Sequence, residues 1–124
     1  MEELIPKSAE IPNSDFVIIG GTGDLAFRKI YPALFWRFIS GQINKEFRIF
    51  SIARSFQEKD QFSKILRSFC KSSISSKFFS ENKWNDFLEI IKIIKFDILS
   101  DEPKILKNQI AKTTSKTRPF IVYL

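Results

Sequence analysis

Between Gly20 and Ala26 the chain places three glycines and an alanine at spacings suited to holding an anion against backbone amides. Gly21-Thr-Gly23-Asp-Leu-Ala26 fits G-x-G-x-x-G/A, and Gly20, Gly23 and Ala26 also fit the looser G-x-x-G-x-x-A. Glycine admits positive φ and close backbone approach, and Ala26 lets a helix pack closely on a strand. A helix starting at Asp24 would offer its first N–H groups and a partial positive charge to a pyrophosphate. The second candidate is Arg54, in Ser51-Ile-Ala-Arg-Ser55. Arg28 and Lys29 form a third, basic pair whose members point in different directions, so at most one would face a crevice at the glycine turn. Some chemistry is missing: the 124 residues contain no histidine and a single cysteine, Cys70. No catalytic residue and no metal-ligand cluster stands out.

The elements that must position these residues alternate. An irregular leader, residues 1–14, runs into an apolar strand from Asp15 to Ile19 of the type buried on both faces of a parallel sheet. Asp24–Ser40 reads as a helix closed by Gly41, with Pro32 predicting a kink or a new first turn near Tyr31. Phe47–Ala53 reads as a second strand. Gln57–Ser68 reads as a helix opened by a capping box, Ser55 with Glu58. A serine-rich loop over 71–77 follows, then a helix over 80–90 whose apolar stripe is Trp84, Phe87, Leu88 and Ile91. A third strand is expected over Ile93–Ile98, ending at Asp97, then a helix over Glu102–Lys112 and a fourth strand over Pro119–Leu124. This alternation predicts an α/β, Rossmann-like parallel sheet of order 3-2-1-4 with flanking helices and right-handed crossovers, incomplete at its C-terminal edge.

Within such a sheet, coenzyme preference is read at the end of the second strand, where an acidic residue holds the ribose 2′-hydroxyl of NAD. Arg54 stands there instead. A guanidinium pairs with a 2′-phosphate and stacks on adenine, so NADP is favoured. Asp97 and Ile98, at the end of the third strand, would lie near the adenine ribose. The net charge of +6 comes from scattered basic residues interleaved with acids, which argues against a nucleic-acid partner. No apolar run approaches the roughly 20 residues of a membrane span. The acidic N-terminus is unlike a secretory signal, and one cysteine suits a cytoplasmic setting. Cys70 reads as a buried, inert thiol on a helix.

From Phe16 to Trp36 the chain reads FVIIGGTGDLAFRKIYPALFW, which resembles the N-terminus of glucose-6-phosphate dehydrogenase. Ile52-Ala-Arg-Ser55 is a second match and Phe120–Leu124 a third, so the resemblance covers about residues 14–124. It implies a partial NADP-binding domain over 15–124, drawn from an enzyme that oxidises glucose 6-phosphate to 6-phosphogluconolactone in the pentose phosphate pathway. By match, Gly20, Gly21, Thr22, Gly23, Asp24, Leu25, Ala26 and Phe27 would contact the pyrophosphate side of NADP and Arg54 its 2′-phosphate. Asp97 and Ile98 would line the adenosine, while Tyr123 and Leu124 would approach the coenzyme. Lys29 matches the family lysine directed at the sugar phosphate. Phe27 stands where the family has lysine or arginine, which removes a positive charge near the coenzyme.

The family's histidine base, in Arg-Ile-Asp-His-Tyr-Leu-Gly-Lys, and its Glu-Lys-Pro segment are absent, as is the substrate domain. The resemblance therefore implies the N-terminal piece of a several-fold longer, oligomeric enzyme, inactive alone. The alternative is a free-standing NADP-binding or interaction module without catalysis. A short-chain reductase is disfavoured because no Tyr-x-x-x-Lys pair is present.

Overall fold

A computed structural model describes residues 13–54, 58–97, 101–111 and 120–123. Its strands are β1 (Asp15–Ile19), β2 (Arg48–Ala53), β3 (Ile91–Lys95) and β4 (Phe120–Tyr123). Its α-helices are α1 (Tyr31–Ile39), α2 (Lys59–Ser73), α3 (Glu81–Glu89) and α4 (Pro103–Ala111), with a π-turn over Ala26–Ile30. The strands form one parallel sheet in the order β3-β2-β1-β4, as the alternation of elements predicts.

Side chains alternate across this sheet, and each face collects its own core. Phe16, Ile18, Ile49 and Ile91 pack with Phe35, Phe62, Leu66 and Phe87 beneath α1, α2 and α3. On the opposite face, Val17, Phe50 and Ile52 pack with Phe96 and Ile110, the latter on α4. Burial on both faces explains why β1 and β2 read as nearly continuous apolar runs.

Several boundaries differ from expectation, each for a local reason. The predicted change near Pro32 takes the form of a π-turn: the Tyr31 N–H reaches the Ala26 carbonyl, and the helical backbone runs on through Ile30 into α1 with Pro32 in its first turn. A wider turn there accommodates a proline ring that has no N–H to give. Helix α2 begins at Lys59 with Glu58 as its extended N-cap, and no side chain caps it. Glu58 therefore cannot serve as the third residue of a capping box, and Ser55 lies outside the described residues. The same helix continues to Ser73, into the expected loop, because Cys70 extends the buried stripe of Phe62 and Leu66. Strand β3 starts at Ile91 rather than Ile93 and stops at Lys95, short of Asp97. Ile90 caps α3 while its carbonyl accepts the Ile49 N–H at 2.8 Å, so the ladder begins without a loop. Lys59 fixes the junction by donating to the carbonyls of Leu88 and Ile91, and burial followed by nearby Lys92 pushes its pKa down.

Cys70 is fully buried, and loss of hydration pushes its thiol up to about 12. The native chain should therefore resist a thiol reagent at pH 8, reacting on the order of a hundred-fold or more slower than after denaturation. A stopped-flow comparison with and without guanidinium checks this, and equal rates would contradict it. The sign of the pH dependence follows. The fold favours the neutral thiol, so this contribution is complete below the ordinary thiol value of 9.0 and is lost as pH rises from there towards 12.

Candidate functional site

All four strands are parallel, so their carboxyl ends lie together. β1 feeds outward to β2 and β3, whereas β4 returns to the other side of β1. A crevice outside the carboxyl ends at such a reversal is where open α/β sheets bind ligands. The glycine turn follows β1 at that end.

Each glycine of the turn is required for a different reason. Gly20 has φ of +72°, the left-handed region, with open space where a Cβ would lie. Gly21 has no room: an added Cβ would overlap Ser51 Oγ and come within 2.8 Å of the Tyr31 hydroxyl and 2.9 Å of Ser51 Cα. Gly23 closes the turn, its N–H donating to the Gly20 carbonyl at 2.9 Å, and a Cβ there would crowd that same oxygen at 3.1 Å. The Gly21 N–H donates to the Ile52 carbonyl at 2.9 Å, tying the turn to β2. Beneath it, the Tyr31 hydroxyl donates to the Gly21 carbonyl at 2.8 Å and lies 2.6 Å from Ser51 Oγ. Burial raises the Tyr31 phenol far above its ordinary pKa, with the Ser51 hydrogen bond opposing weakly, so the hydroxyl remains a donor.

The other expected site residues divide into several groups. Thr22, Gly23, Asp24 and Leu25 are at least partly exposed on the turn, and Leu25 is 58% exposed. Asp24 pairs with Arg28 at 3.1 Å in solvent, a contact worth about 0–1 kcal/mol. Ala26 and Phe27 are buried. The Phe27 ring points into the aromatic core, 5.4 Å from Phe62 and 5.7 Å from Tyr31, so its side chain is turned away from the turn's outer surface. Arg54 is exposed and follows β2 directly, at the same end of the sheet as the turn. Asp97, half-buried, follows β3 at that end, where its N–H bonds Asp101 Oδ2. Tyr123 ends β4 opposite Ile18. Ile98 and Leu124 lie outside the described residues.

Arg28 and Lys29 both line one open cavity of about 450 Å³, with Trp36, Ser73 and Phe78. Among the described residues no cluster of potential metal ligands occurs, and no helix is long and apolar enough to cross a membrane. Sequence reasoning passed over Tyr31 and Ser51, although a lone serine inside the apolar strand Ile-Phe-Ser-Ile-Ala was a usable signal. A buried hydroxyl needs a partner.

Comparison with known proteins agrees with this geometry. The family model described as "Glucose-6-phosphate dehydrogenase, NAD binding domain" matches residues 17–124. Glucose-6-phosphate 1-dehydrogenase of Rhizobium meliloti (strain 1021) is 31% identical over 86% of this chain and 22% of its own length. That of Bacillus subtilis (strain 168) is 32% identical, with the same coverage of each chain. A solved structure of glucose-6-phosphate dehydrogenase in complex with its substrate glucose-6-phosphate superposes with a TM-score of 0.72 at 25% identity. It covers 90% of this chain and 24% of the other. The chain thus spans about a quarter or less of the relatives it matches. With its sheet order, its glycine turn and this match over residues 17–124, the chain belongs to the glucose-6-phosphate dehydrogenase family, in the region of that family's NAD-binding domain.

Proposed function

We propose that this chain is the NADP-binding part of a glucose-6-phosphate dehydrogenase. The observation that carries the coenzyme assignment is Arg54, the first residue after β2, where a carboxylate would select NAD. The turn fits a dinucleotide: Gly20 leaves open space on its outer side, while Gly21 is packed tightly beneath. Gly20 to Ala26 would hold the pyrophosphate through backbone N–H groups, with Thr22, Asp24 and Leu25 on the exposed side. Phe27 would contribute through its backbone alone, since its ring lies in the core. Arg54 would bind the 2′-phosphate bidentately, and Asp97 and Ile98 would flank the adenosine. Lys29 would face the sugar phosphate.

A bound nicotinamide would supply the acceptor for the hydride leaving C1 of glucose 6-phosphate. A base must take the C1 hydroxyl proton in the same step, and general-base catalysis contributes roughly 10²–10⁴-fold in rate. The 124 residues hold no histidine for that role. We therefore assign binding and orientation of the coenzyme to this chain, and no turnover to it alone.

Calorimetric titration of the full chain with NADP and NAD tests the assignment. Arg54→Glu should weaken NADP binding by about 100-fold or more, through one lost charge-assisted contact and the repulsion of carboxylate and 2′-phosphate, and leave NAD binding unchanged or tighter. Equal NADP affinity in wild type and Arg54→Glu would refute the role of Arg54. Reduction of NADP by this chain with glucose 6-phosphate would refute the absence of turnover.

A further inference from the structure

We propose that Tyr31 and Ser51 are positioning residues for the coenzyme, aiming the Thr22 N–H at its pyrophosphate. The inference rests on the dinucleotide-binding role above and adds two residues with no other assigned part in it. Tyr31 has one hydroxyl proton, and the Gly21 carbonyl takes it at 2.8 Å. At the 2.6 Å contact, Ser51 must therefore donate and Tyr31 accept. The result is a directed relay, Ser51 to Tyr31 to Gly21, in which both side chains are 0% exposed.

The Gly21 carbonyl and the Thr22 N–H belong to one planar trans peptide, so they point in opposite directions. With the carbonyl held down towards Tyr31, the Thr22 N–H is directed away from the core, out of the turn. The preceding peptide is fixed separately by the Gly21 N–H on the Ile52 carbonyl, so the flip of the Gly21–Thr22 peptide is the remaining freedom. Tyr31 removes it. The π-turn over Ala26–Ile30, closed by the Tyr31 N–H on the Ala26 carbonyl, sets the rotation that brings this side chain under the turn. An amide donor aimed in advance contributes more to binding an anion than one that must be ordered on binding.

The test uses the full chain and three variants: Tyr31→Phe, Ser51→Ala and Phe87→Leu. Phe87 is equally buried but packs with Phe35 and Phe38 on α1, so it controls for general loss of stability. NADP affinity and the Thr22 amide resonance, with its hydrogen-exchange rate, are read for each. Tyr31→Phe should weaken NADP roughly ten-fold and shift the Thr22 amide, the effect expected for one misdirected donor to a charged group. Ser51→Ala should move both readouts in the same direction by less, and Phe87→Leu should move neither. Wild-type affinity and an unmoved Thr22 amide in Tyr31→Phe would overturn the proposal. So would an equal loss of affinity in Phe87→Leu. If the wild type binds neither NADP nor NAD, the dinucleotide reading fails. The Thr22 amide then decides the positioning claim alone: a shift in Tyr31→Phe sustains it and no shift overturns it.

Discussion

Asp15→Ala should lower the stability of the folded chain by about 3–5 kcal/mol, the usual cost of removing one partner from a buried ion pair. Asp15 opens β1 and stands in register with Arg48, which opens β2. The guanidinium binds the carboxylate with two bonds, Nε to Oδ1 at 2.9 Å and Nη2 to Oδ2 at 2.7 Å. The two side chains are only 2% and 12% exposed, and the Arg48 guanidinium lies 5.2 Å from the centre of the Phe50 ring. Without the carboxylate, the guanidinium loses both of these bonds while staying largely shielded from water. For a domain whose total stability is of order 5–15 kcal/mol, that is at least about a fifth of the margin. The double substitution Asp15→Leu, Arg48→Met should recover much of the loss, because apolar residues of similar volume often replace buried pairs at little cost. Urea denaturation of the three proteins measures this. A loss below about 1 kcal/mol in Asp15→Ala would show the pair to behave like a solvent-exposed one.

Gly21→Ala should be the most damaging change in the turn, costing about 1–3 kcal/mol or more and removing measurable NADP binding. Ser51 Oγ could rotate away from the new methyl group, and Tyr31 could withdraw at the expense of its bond to the Gly21 carbonyl. The Ser51 Cα cannot yield so easily, because β2 is paired on both sides, to β1 and β3. Either β2 shifts or the turn lifts off it and breaks the bond from the Gly21 N–H to Ile52. Gly20→Ala makes an informative contrast. There the space is open and only the left-handed backbone is penalised, by roughly 1–2 kcal/mol. Thermal unfolding and NADP titration should therefore rank the two, with Gly21→Ala worse in binding even where the melting temperatures are similar. The opposite ranking would mean that backbone handedness, not close packing against β2, governs the turn.

Much of the architecture could be read from the residues. The apolar run of β1, the glycine cluster and the alternation of strand and helix patterns led to the sheet order, because each signal reflects a burial requirement that the fold satisfies directly. Boundaries were harder where one pattern served two elements. Ile90-Ile91-Lys92-Ile93-Ile94 satisfies both a helix end and a strand start, and only the bond from Ile49 to the Ile90 carbonyl decides between them. Ser55 and Glu58 have the right types for a capping box, yet Glu58 itself is the N-cap residue. The direction of Phe27 was invisible for a different reason. Its place in the motif points to the coenzyme, but its ring packs on nearby Tyr31 and on Phe62 and Phe69 of α2, a helix distant in sequence. The glycine positions were legible, but what holds them was not, since Tyr31 and Ser51 are 20 residues apart in the chain and meet only where α1 packs on the sheet.

β1 carries the Asp15 carboxylate at one end and leads into the glycine turn at the other, five residues along. At about 3.3 Å per residue, these ends are separated by roughly 17 Å. Asp15 and Arg48 also offset each other's charge, so little net field reaches that far. The strand thus works as a spacer between the ion pair at its first residue and the glycine turn beyond its last. Changes at the two ends should combine additively. A lineage could then exchange its coenzyme preference at one end while its stability drifted at the other, with neither change constraining the other.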